Sequence, residues 1–267
     1  MSKTILITGA TDGIGRLTAE LLLKQGHKVL VHGRSEQKLS ACKEEFSEFS
    51  SQIKLFKADL SDLIQVKKLA AEITAQYSKL DVLINNAGVL KTTNTITDYG
   101  IDVRFVVNTI APYLLTQGLL PIMDSSCRVI NLSSAAQAPV DIDALSGSKQ
   151  IQDDMSAYAQ SKLAITMWTT YLAEQNTEDA PLFVSVNPGS LLASKMVKQG
   201  FGIEGNDLNI GANILVKAAL SDEFAQANGE YFDNDSGQFA SPHPDGIDKN
   251  KRKNVSETVA QVLERLV

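Results

Sequence analysis

The sequence predicts a single α/β domain in which a doubly wound, parallel β-sheet lies between two layers of helices. Six short apolar runs rich in valine and isoleucine alternate with helix-length segments along most of the chain. Parallel strands are apolar nearly throughout because helices cover both faces of their sheet. The 267 residues, 43% of them hydrophobic, suffice for one large core, and no repeat, low-complexity tract or Pro/Gly linker divides them.

The elements follow one another in the order that such a sheet requires. The predicted strands are 4–8, 28–32, 53–56, 82–84, 128–132 and 183–186, and the predicted helices are 14–25, 35–49, 62–77, 98–122 and 155–175. Two polar segments, 135–157 and 191–253, interrupt this alternation. Ligands bind where loops leave the carboxyl ends of the strands, so we expect these segments to shape a substrate pocket.

Charge and composition exclude several classes of function. The formal net charge of -6 disfavours attraction to nucleic acid and to anionic membranes. The one basic run, 249–253, is interpreted as a solvated loop. The two cysteines are far apart and the three histidines form no cluster, so neither a disulfide framework nor a metal site is expected. The sequence shows no signal-peptide pattern and no apparent apolar run near the ~20 residues of a membrane span, which predicts a soluble, cytoplasmic protein.

A glycine-rich loop follows the first strand and opens a helix. Glycines let the backbone turn sharply and approach a pyrophosphate, and a helix N-terminus offers free N–H groups to it. This placement predicts a dinucleotide site in a three-layer, Rossmann-type fold, although a strand-to-helix turn without a ligand has the same glycines. The candidate ligands are Thr8, Gly9, Thr11, Asp12, Gly13, Ile14 and Gly15.

The end of the second strand predicts the choice of cofactor. Enzymes that use NAD place an acid here for the ribose 2′-hydroxyl, whereas an arginine accommodates a 2′-phosphate. This chain has Gly33 where the acid is expected, and Arg34 follows it. A guanidinium pairs well with a phosphate, so the sequence predicts NADP(H) in preference to NAD(H). The alternative is that Arg34 is only the exposed end of a strand.

The spacing T-G-x-x-x-G-I-G over residues 8–15 resembles the short-chain dehydrogenase/reductase family, and the resemblance extends to at least Ser194. Two further motifs agree: Asp59-Leu60 after the third strand, and N-N-A-G at residues 85–88 after the fourth. The resemblance implies that Asp59, Leu60, Asn86, Ala87 and Gly88 border the adenosine part of the cofactor. It also implies hydride transfer between a nicotinamide and a small carbonyl or alcohol substrate.

Tyr158 and Lys162 form the candidate catalytic pair. Residues at i and i+4 share one face of a helix, and a nearby cation is expected to lower the tyrosine pKa from about 10. Taken alone, the pair is equally compatible with an ordinary helix surface. It matches the family motif Y-x-x-x-K between the fifth and sixth strands, which implies that Tyr158 exchanges the proton and that Lys162 binds the nicotinamide ribose.

The resemblance implies the remaining site residues. Ser134 matches the serine that holds the substrate oxygen, with Ser133 left as an alternative, and Asn108 matches the helix asparagine that supports a proton relay. Near the nicotinamide it implies Pro188, Gly189, Ser190 and Ser194.

The chain resembles the classical type of the family, with an insertion between Ser134 and Tyr158 as in its retinol-dehydrogenase-like branch. Because of this insertion, the sequence leaves open whether the protein forms a homo-oligomer. Two other functions also remain open: a non-catalytic NADP(H)-binding sensor or scaffold, and, less in keeping with the sequence, another nucleotide-binding protein such as a P-loop NTPase, whose G-K-[ST] is missing after the glycines.

Overall fold

The computed structural model describes residues 1–175 and 178–267. One eight-stranded sheet runs through it in the order β3-β2-β1-β4-β5-β6-β7-β8, and all neighbours are parallel except the final antiparallel pair. The strands are β1 Thr4–Ile7, β2 Lys28–Gly33, β3 Ile53–Lys57, β4 Val82–Asn85, β5 Arg128–Leu132, β6 Leu182–Asn187, β7 Tyr231–Asp233 and β8 Gln238–Ala240. The six predicted strands are confirmed, and two short strands extend the sheet beyond them.

Helices cover both faces of this sheet. They are α1 Gly13–Lys24, α2 Glu36–Glu45, α3 Leu63–Gln76, α4 Val103–Phe105, α5 Ala111–Leu119, α6 Ile142–Ser146, α7 Asp154–Gln175, α8 Lys195–Phe201, α9 Leu208–Leu220, α10 Pro244–Ile247 and α11 Lys249–Leu266. Two clusters of buried apolar side chains lie on opposite faces of the sheet, one with α1, α2 and α9 and the other with α3, α5 and α7. The doubly wound fold is therefore confirmed.

The sheet reverses its winding between β1 and β4. The chain first adds β2 and β3 on one side of β1, and β4 then begins the other side. The loops after β1 and β4 diverge to opposite faces there and leave a crevice at their carboxyl ends, which is where α/β sheets bind ligands.

The basic run 249–253 is not a solvated loop, contrary to the sequence interpretation. It begins the helix α11, whose first N–H groups donate to the carboxylate of Asp248. Within the run, Arg252 is buried and donates to Glu174 at 2.6 Å. The buried residues Val255, Val259 and Val262 continue at helical spacing and pack the helix onto the core.

The helical run Val103–Ile122 corrects the expectation that no apolar segment approaches the length of a membrane span. It comprises 20 residues, and its most apolar 18-residue window has a mean hydropathy of 1.3, which is enough by length and composition alone; 61% of that window is buried inside the fold. Phe105, Ile110, Leu115 and Leu119 are fully buried in the core, which accounts for the high hydropathy.

The same run begins at Val103, five residues after the predicted start at residue 98, because Asp102 accepts from the N–H of Arg104 and caps the helix. Between α4 and α5 it widens into a π-helical turn over Val106–Ile110, and such turns are frequent at functional sites.

Candidate active site

A cavity of about 1230 Å³ follows the carboxyl edge of the sheet across the β1/β4 crevice. It exceeds the roughly 300–1,000 Å³ that is usual for a drug-sized ligand. Most of the predicted site residues line it: Gly9, Thr11, Asp12, Gly13, Ile14, Gly15, Gly33, Arg34, Asp59, Leu60, Asn86, Ala87, Gly88, Tyr158, Lys162, Pro188 and Ser194. Thr8, Asn108, Ser134, Gly189 and Ser190 do not line it.

The glycine-rich loop packs tightly against the segment after β4. Gly9 has a φ of +65°, and a Cβ there would lie 2.9 Å from the Cα of Ala87. The side chain of Asn86 donates to the carbonyl oxygen of Thr8 at 2.8 Å, and the hydroxyl of Thr8 accepts from the N–H of Ala87 at 3.0 Å. Thr8 therefore does not face the cavity but links the glycine-rich loop to the segment after β4.

His32 is a site residue that the sequence reasoning missed. It is buried in β2, lines the cavity and accepts a hydrogen bond at Nδ1 from the N–H of Gly9 at 3.2 Å. Its Nε2 lies 3.1 Å from the carbonyl oxygen of Ala58, so Nε2 carries the proton. Burial lowers the pKa of His32 to about 4, which keeps the ring neutral and able to accept from the glycine loop.

Cationic side chains surround the end of β2. Arg34 is exposed and lines the cavity, and Lys38 lines it one helical turn further on. At Gly33, a Cβ would lie 2.5 Å from the side chain of Thr11, so only glycine fits between β2 and the loop.

Asp12 lines the cavity, and its carboxylate accepts three hydrogen bonds. Its Oδ1 accepts from the N–H of Gly13, and its Oδ2 accepts from Lys38 and from Lys195, each at 2.7 Å. Burial alone would raise the pKa of Asp12, but the two lysines lower it to about 2. The carboxylate thus links the glycine loop with α2 and with α8 across the cavity mouth.

Tyr158 and Lys162 both face the cavity from α7. The ammonium of Lys162 lies 5.7 Å from the centre of the Tyr158 ring and donates to the carbonyl oxygen of Leu132 at 2.8 Å. Burial lowers the pKa of Lys162 to about 8. Burial also raises the pKa of Tyr158, and a hydrogen bond with Ser134 opposes the rise only in part. The pKa of Tyr158 is therefore raised by burial in this structure, contrary to the expected lowering by the lysine.

The two adjacent serines have different environments. The hydroxyl of Ser133 is buried 2.6 Å from that of Thr166 and 3.3 Å from the carbonyl oxygen of Lys162. Ser134 is the serine beside Tyr158, and its Oγ accepts from the N–H of Ala136 at 3.1 Å. Of the two alternatives, Ser134 is the one whose hydroxyl adjoins the tyrosine.

Two side chains hold the backbone of Ser134. Its carbonyl oxygen accepts from the hydroxyl of Tyr231 at 3.2 Å and from the side-chain amide of Gln137 at 3.0 Å. The same amide lies 3.3 Å from the hydroxyl of Ser133. Gln137 is a neighbour in the chain, whereas Tyr231 comes from β7, so one local and one distant contact fix the serine.

Asn108 lies in the π-helical turn, behind the cavity wall. Its side chain donates to the carbonyl oxygen of Val89 and to the hydroxyl of Ser161, both at 3.0 Å, and accepts from the N–H of Val89 at 2.8 Å. A Cβ at Gly88 would lie 3.4 Å from its Oδ1 and 3.5 Å from the Nζ of Lys162. Asn108 thus fixes the loop after β4 beside the lysine.

The three small residues after β6 divide between two surroundings. The N–H of Ser190 donates to Asp235 at 2.7 Å, and that of Gly189 donates to Asn187 at 3.3 Å, so both belong to the packing of β6 against the β7–β8 turn. Ser194 lines the cavity and caps α8, since its Oγ accepts from the N–H of Val197 at 3.2 Å.

The two polar segments contribute less to the main cavity than expected. Among the residues that the structure describes, Asp154 from 135–157 and Ser194, Lys195 and Met196 from 191–253 line it. Parts of both segments instead border a separate cavity of about 240 Å³ beside Tyr231 and His243. The outer walls of the main cavity come from the loop 89–94 and from Val103 and Val107, which the sequence did not indicate.

The residues present fit a dinucleotide. Gly13, Ile14 and Gly15 begin α1 and line the cavity, where the first turn of a helix leaves N–H groups free for a pyrophosphate. Side chains at Gly9 or Gly15 would fill this cradle, since a Cβ at Gly15 would lie 2.5 Å from the carbonyl oxygen of Gly9. Among the described residues, no group of three or more His, Cys, Asp or Glu side chains is placed to hold a metal ion.

Comparisons with known proteins find similar sequences and similar structures. The family described as short chain dehydrogenase matches residues 3–201. Retinol dehydrogenase 13 of Homo sapiens is 30% identical over 253 residues, which cover 86% of this chain and 76% of that protein. Retinol dehydrogenase 12 of Bos taurus is 31% identical over a match that covers 90% of this chain and 80% of that protein. A chain from Escherichia coli CFT073, solved in complex with NADPH, has a TM-score of 0.70 at 26% identity and covers 87% of this chain and 96% of its own.

Proposed function

The chain belongs to the short-chain dehydrogenase/reductase family of oxidoreductases, and from this premise we propose that it interconverts a carbonyl compound and an alcohol with NADP(H). The observation that carries the proposal is the placement of Tyr158 and Lys162 in the same cavity as the glycine loop. When bound there, NADPH supplies the hydride and the chain supplies the proton and the orientation.

Tyr158 is the proton donor for reduction. Its raised pKa keeps the phenol protonated at neutral pH, and the alkoxide left by hydride addition is a far stronger base than a phenolate. Ser134 donates its hydroxyl hydrogen to the substrate oxygen, because its hydroxyl adjoins Tyr158, although Ser133 and not Ser134 lines the cavity in this structure. Asn108 holds the loop that carries Gly88 and so keeps the cofactor side of the cavity open next to Lys162.

Arg34 supports the preference for NADP(H). Its guanidinium is exposed at the cavity end of β2, where Gly33 replaces the acid that would repel a 2′-phosphate. Lys38 adds a second cation at this place, although its charge is shared with Asp12. The relative from Escherichia coli that was solved with NADPH is consistent with this choice.

The proposal is tested by measuring NADPH oxidation with a panel of aldehydes and ketones, including retinaldehyde because of the retinol dehydrogenase relatives. NADH and the variant Tyr158→Phe serve as controls. We expect turnover with NADPH that falls by at least about a thousandfold in Tyr158→Phe, with NADPH binding retained. A variant as active as the wild type would refute the assignment of Tyr158. Tight NADPH binding without turnover of any compound would favour the sensor function instead.

A further inference from the structure

A buried ionic triad borders the outer end of the cavity. Arg104 is 1% exposed and donates through Nε and Nη2 to the two carboxylate oxygens of Asp102, at 2.7 and 2.5 Å. Its Nη1 donates to Oδ1 of Asp154 and lies 3.4 Å from the carbonyl oxygen of Leu90. The bidentate pair already neutralises Arg104, so Asp154 remains as one uncompensated negative charge.

The carboxylate of Asp154 faces the cavity. The side chain is 37% exposed and lines the cavity wall, whereas Asp102 is buried behind it. Within the described residues, Oδ1 bonds to Arg104 and no hydrogen bond engages Oδ2. That second oxygen is therefore available to a bound molecule.

The spacing of Asp154 and Tyr158 along α7 sets the distance between the carboxylate and the proton donor. Asp154 is the first residue of α7 and lies four residues before Tyr158, so the two share a helix face roughly 6 Å apart along the axis. Neighbouring Asp153, not Asp154, caps the helix, because its Oδ1 accepts from the N–H of Ser156 at 2.7 Å. Asp154 is therefore not the residue that caps the helix, although its charge lies in the first turn.

Apolar side chains contribute much of the outer wall of the cavity, among them Leu90, Val103, Val107 and Met196, together with the polar residues Thr92, Thr93 and Asn94 of the loop after β4. Besides Asp154, the charged residues that this loop and α8 contribute to the lining, among the described residues, are Lys91, which is exposed, and Lys195, which is paired with Asp12. A cation that enters between apolar walls gains most from a carboxylate that water does not fully screen.

Resting on the proposed reductase function, we propose that Asp154 selects carbonyl substrates that carry a protonated amine about one helical turn from the reacting carbonyl. Asp154 accepts a charge-assisted hydrogen bond from the ammonium, and the apolar walls hold the part of the substrate between the two groups. An acidic substrate is disfavoured at the same place.

Three aldehydes of the same length test the charge preference. In para-(dimethylaminomethyl)benzaldehyde the ammonium lies at about this separation from the carbonyl, para-isobutylbenzaldehyde is its uncharged isostere, and para-(carboxymethyl)benzaldehyde is anionic. We expect kcat/KM with NADPH to be roughly tenfold higher for the amine than for its isostere, and lowest for the acid. A ratio near one, or a preference for the acid, would overturn the proposal and point to Lys91.

Two variants locate the charge. Asp154→Asn still accepts from Arg104, which keeps its pair with Asp102, and is expected to bring the amine-to-isostere ratio close to one. Asp153→Asn removes the same formal charge one residue away on the exposed side, outside the cavity, and should leave the ratio unchanged. If both variants, or neither, alter the ratio, Asp154 does not set the preference.

A binding measurement separates this inference from the proposed function. Dissociation constants of the amine and its isostere, measured by calorimetry with the NADPH-saturated Tyr158→Phe variant, report the same preference without turnover. If the wild type reduces neither aldehyde, the proposed function fails for this class. The ratio of dissociation constants, with and without Asp154→Asn, then still supports or refutes the charge preference.

Discussion

His32, which supports the glycine loop, makes the free energy of unfolding depend on pH. A folded-state pKa of about 4, against an ordinary value near 6.5, means that the folded chain binds this proton much less readily than the unfolded chain. The unfolded chain therefore takes up the proton first as the pH falls below 6.5, and stability is lost progressively until about pH 4. This pKa difference corresponds to a loss of about 3 kcal/mol in the free energy of unfolding.

Substitution His32→Gln removes the titration and keeps polar atoms that can accept from Gly9 and donate to Ala58. We expect the wild type to lose about 2.5 kcal/mol more stability than the variant between pH 7 and pH 4.5. Urea unfolding at both pH values, followed by the fluorescence of the single buried tryptophan, Trp168, measures the difference. The carboxylates and His27 titrate in both proteins, so their effects cancel in this comparison.

Equal losses in the two proteins would refute the reasoning, because His32 would then be charged, or solvated, in the folded state. A protonated ring cannot accept from the N–H of Gly9. In the folded protein the ring takes up the proton only near and below pH 4, so NADPH binding should weaken more in the wild type than in His32→Gln only in that lower range.

Three further predictions concern the cofactor. Arg34→Ala should raise the KM for NADPH by about tenfold or more and that for NADH little, and equal effects on both would remove Arg34 from the 2′-phosphate site. Gly9→Ala should abolish detectable NADPH binding, because its Cβ would meet the backbone of Ala87. The matched control is Gly13→Ala, since Gly13 also has a positive φ, +54°, but a Cβ there would have no atom within 4 Å. Similar effects of the two substitutions would show that only the backbone angle matters. Finally, kcat/KM for NADPH should fall above about pH 8, as Lys162 loses its proton, and a profile flat to pH 10 would contradict that pKa.

Local spacing carried most of the prediction of the fold and of the cofactor site. Gly9 lies in the loop after β1 and Gly13 and Gly15 lie in the first turn of α1, while Tyr158 and Lys162 lie on one helix face. Their proximity therefore follows from secondary structure once the strand before the loop and the helix have been recognised. The parallel strands are similarly visible as apolar runs.

The residues that the sequence did not reveal depend on contacts between distant elements. His32 belongs to the site only because β2 brings it beside Gly9, and Asp154 faces the cavity while Asp153 does not. The sole signal for His32 is a polar side chain within an otherwise apolar strand. Nothing in the spacing shows that Arg104 joins α4 to α7.

The C-terminal third was the least predictable part of the fold. The strands β7 and β8 have three residues each, too few for a periodic pattern to stand out. Helix α11 begins with a strongly charged turn that resembles a loop in composition, and its buried Arg252 departs from the usual polarity of a core position.

Transfer of hydrogen from the cofactor to the substrate carbon tests the central claim most directly. The measurement uses NADPH that carries two deuterium atoms at the reactive nicotinamide carbon, para-isobutylbenzaldehyde as substrate, and mass spectrometry of the alcohol product. We predict that the wild type forms an alcohol with one deuterium on its carbinol carbon. The amount of this alcohol should fall in Tyr158→Phe by the same factor as turnover. An alcohol without deuterium, or equal formation by the variant, would contradict hydride transfer by this site.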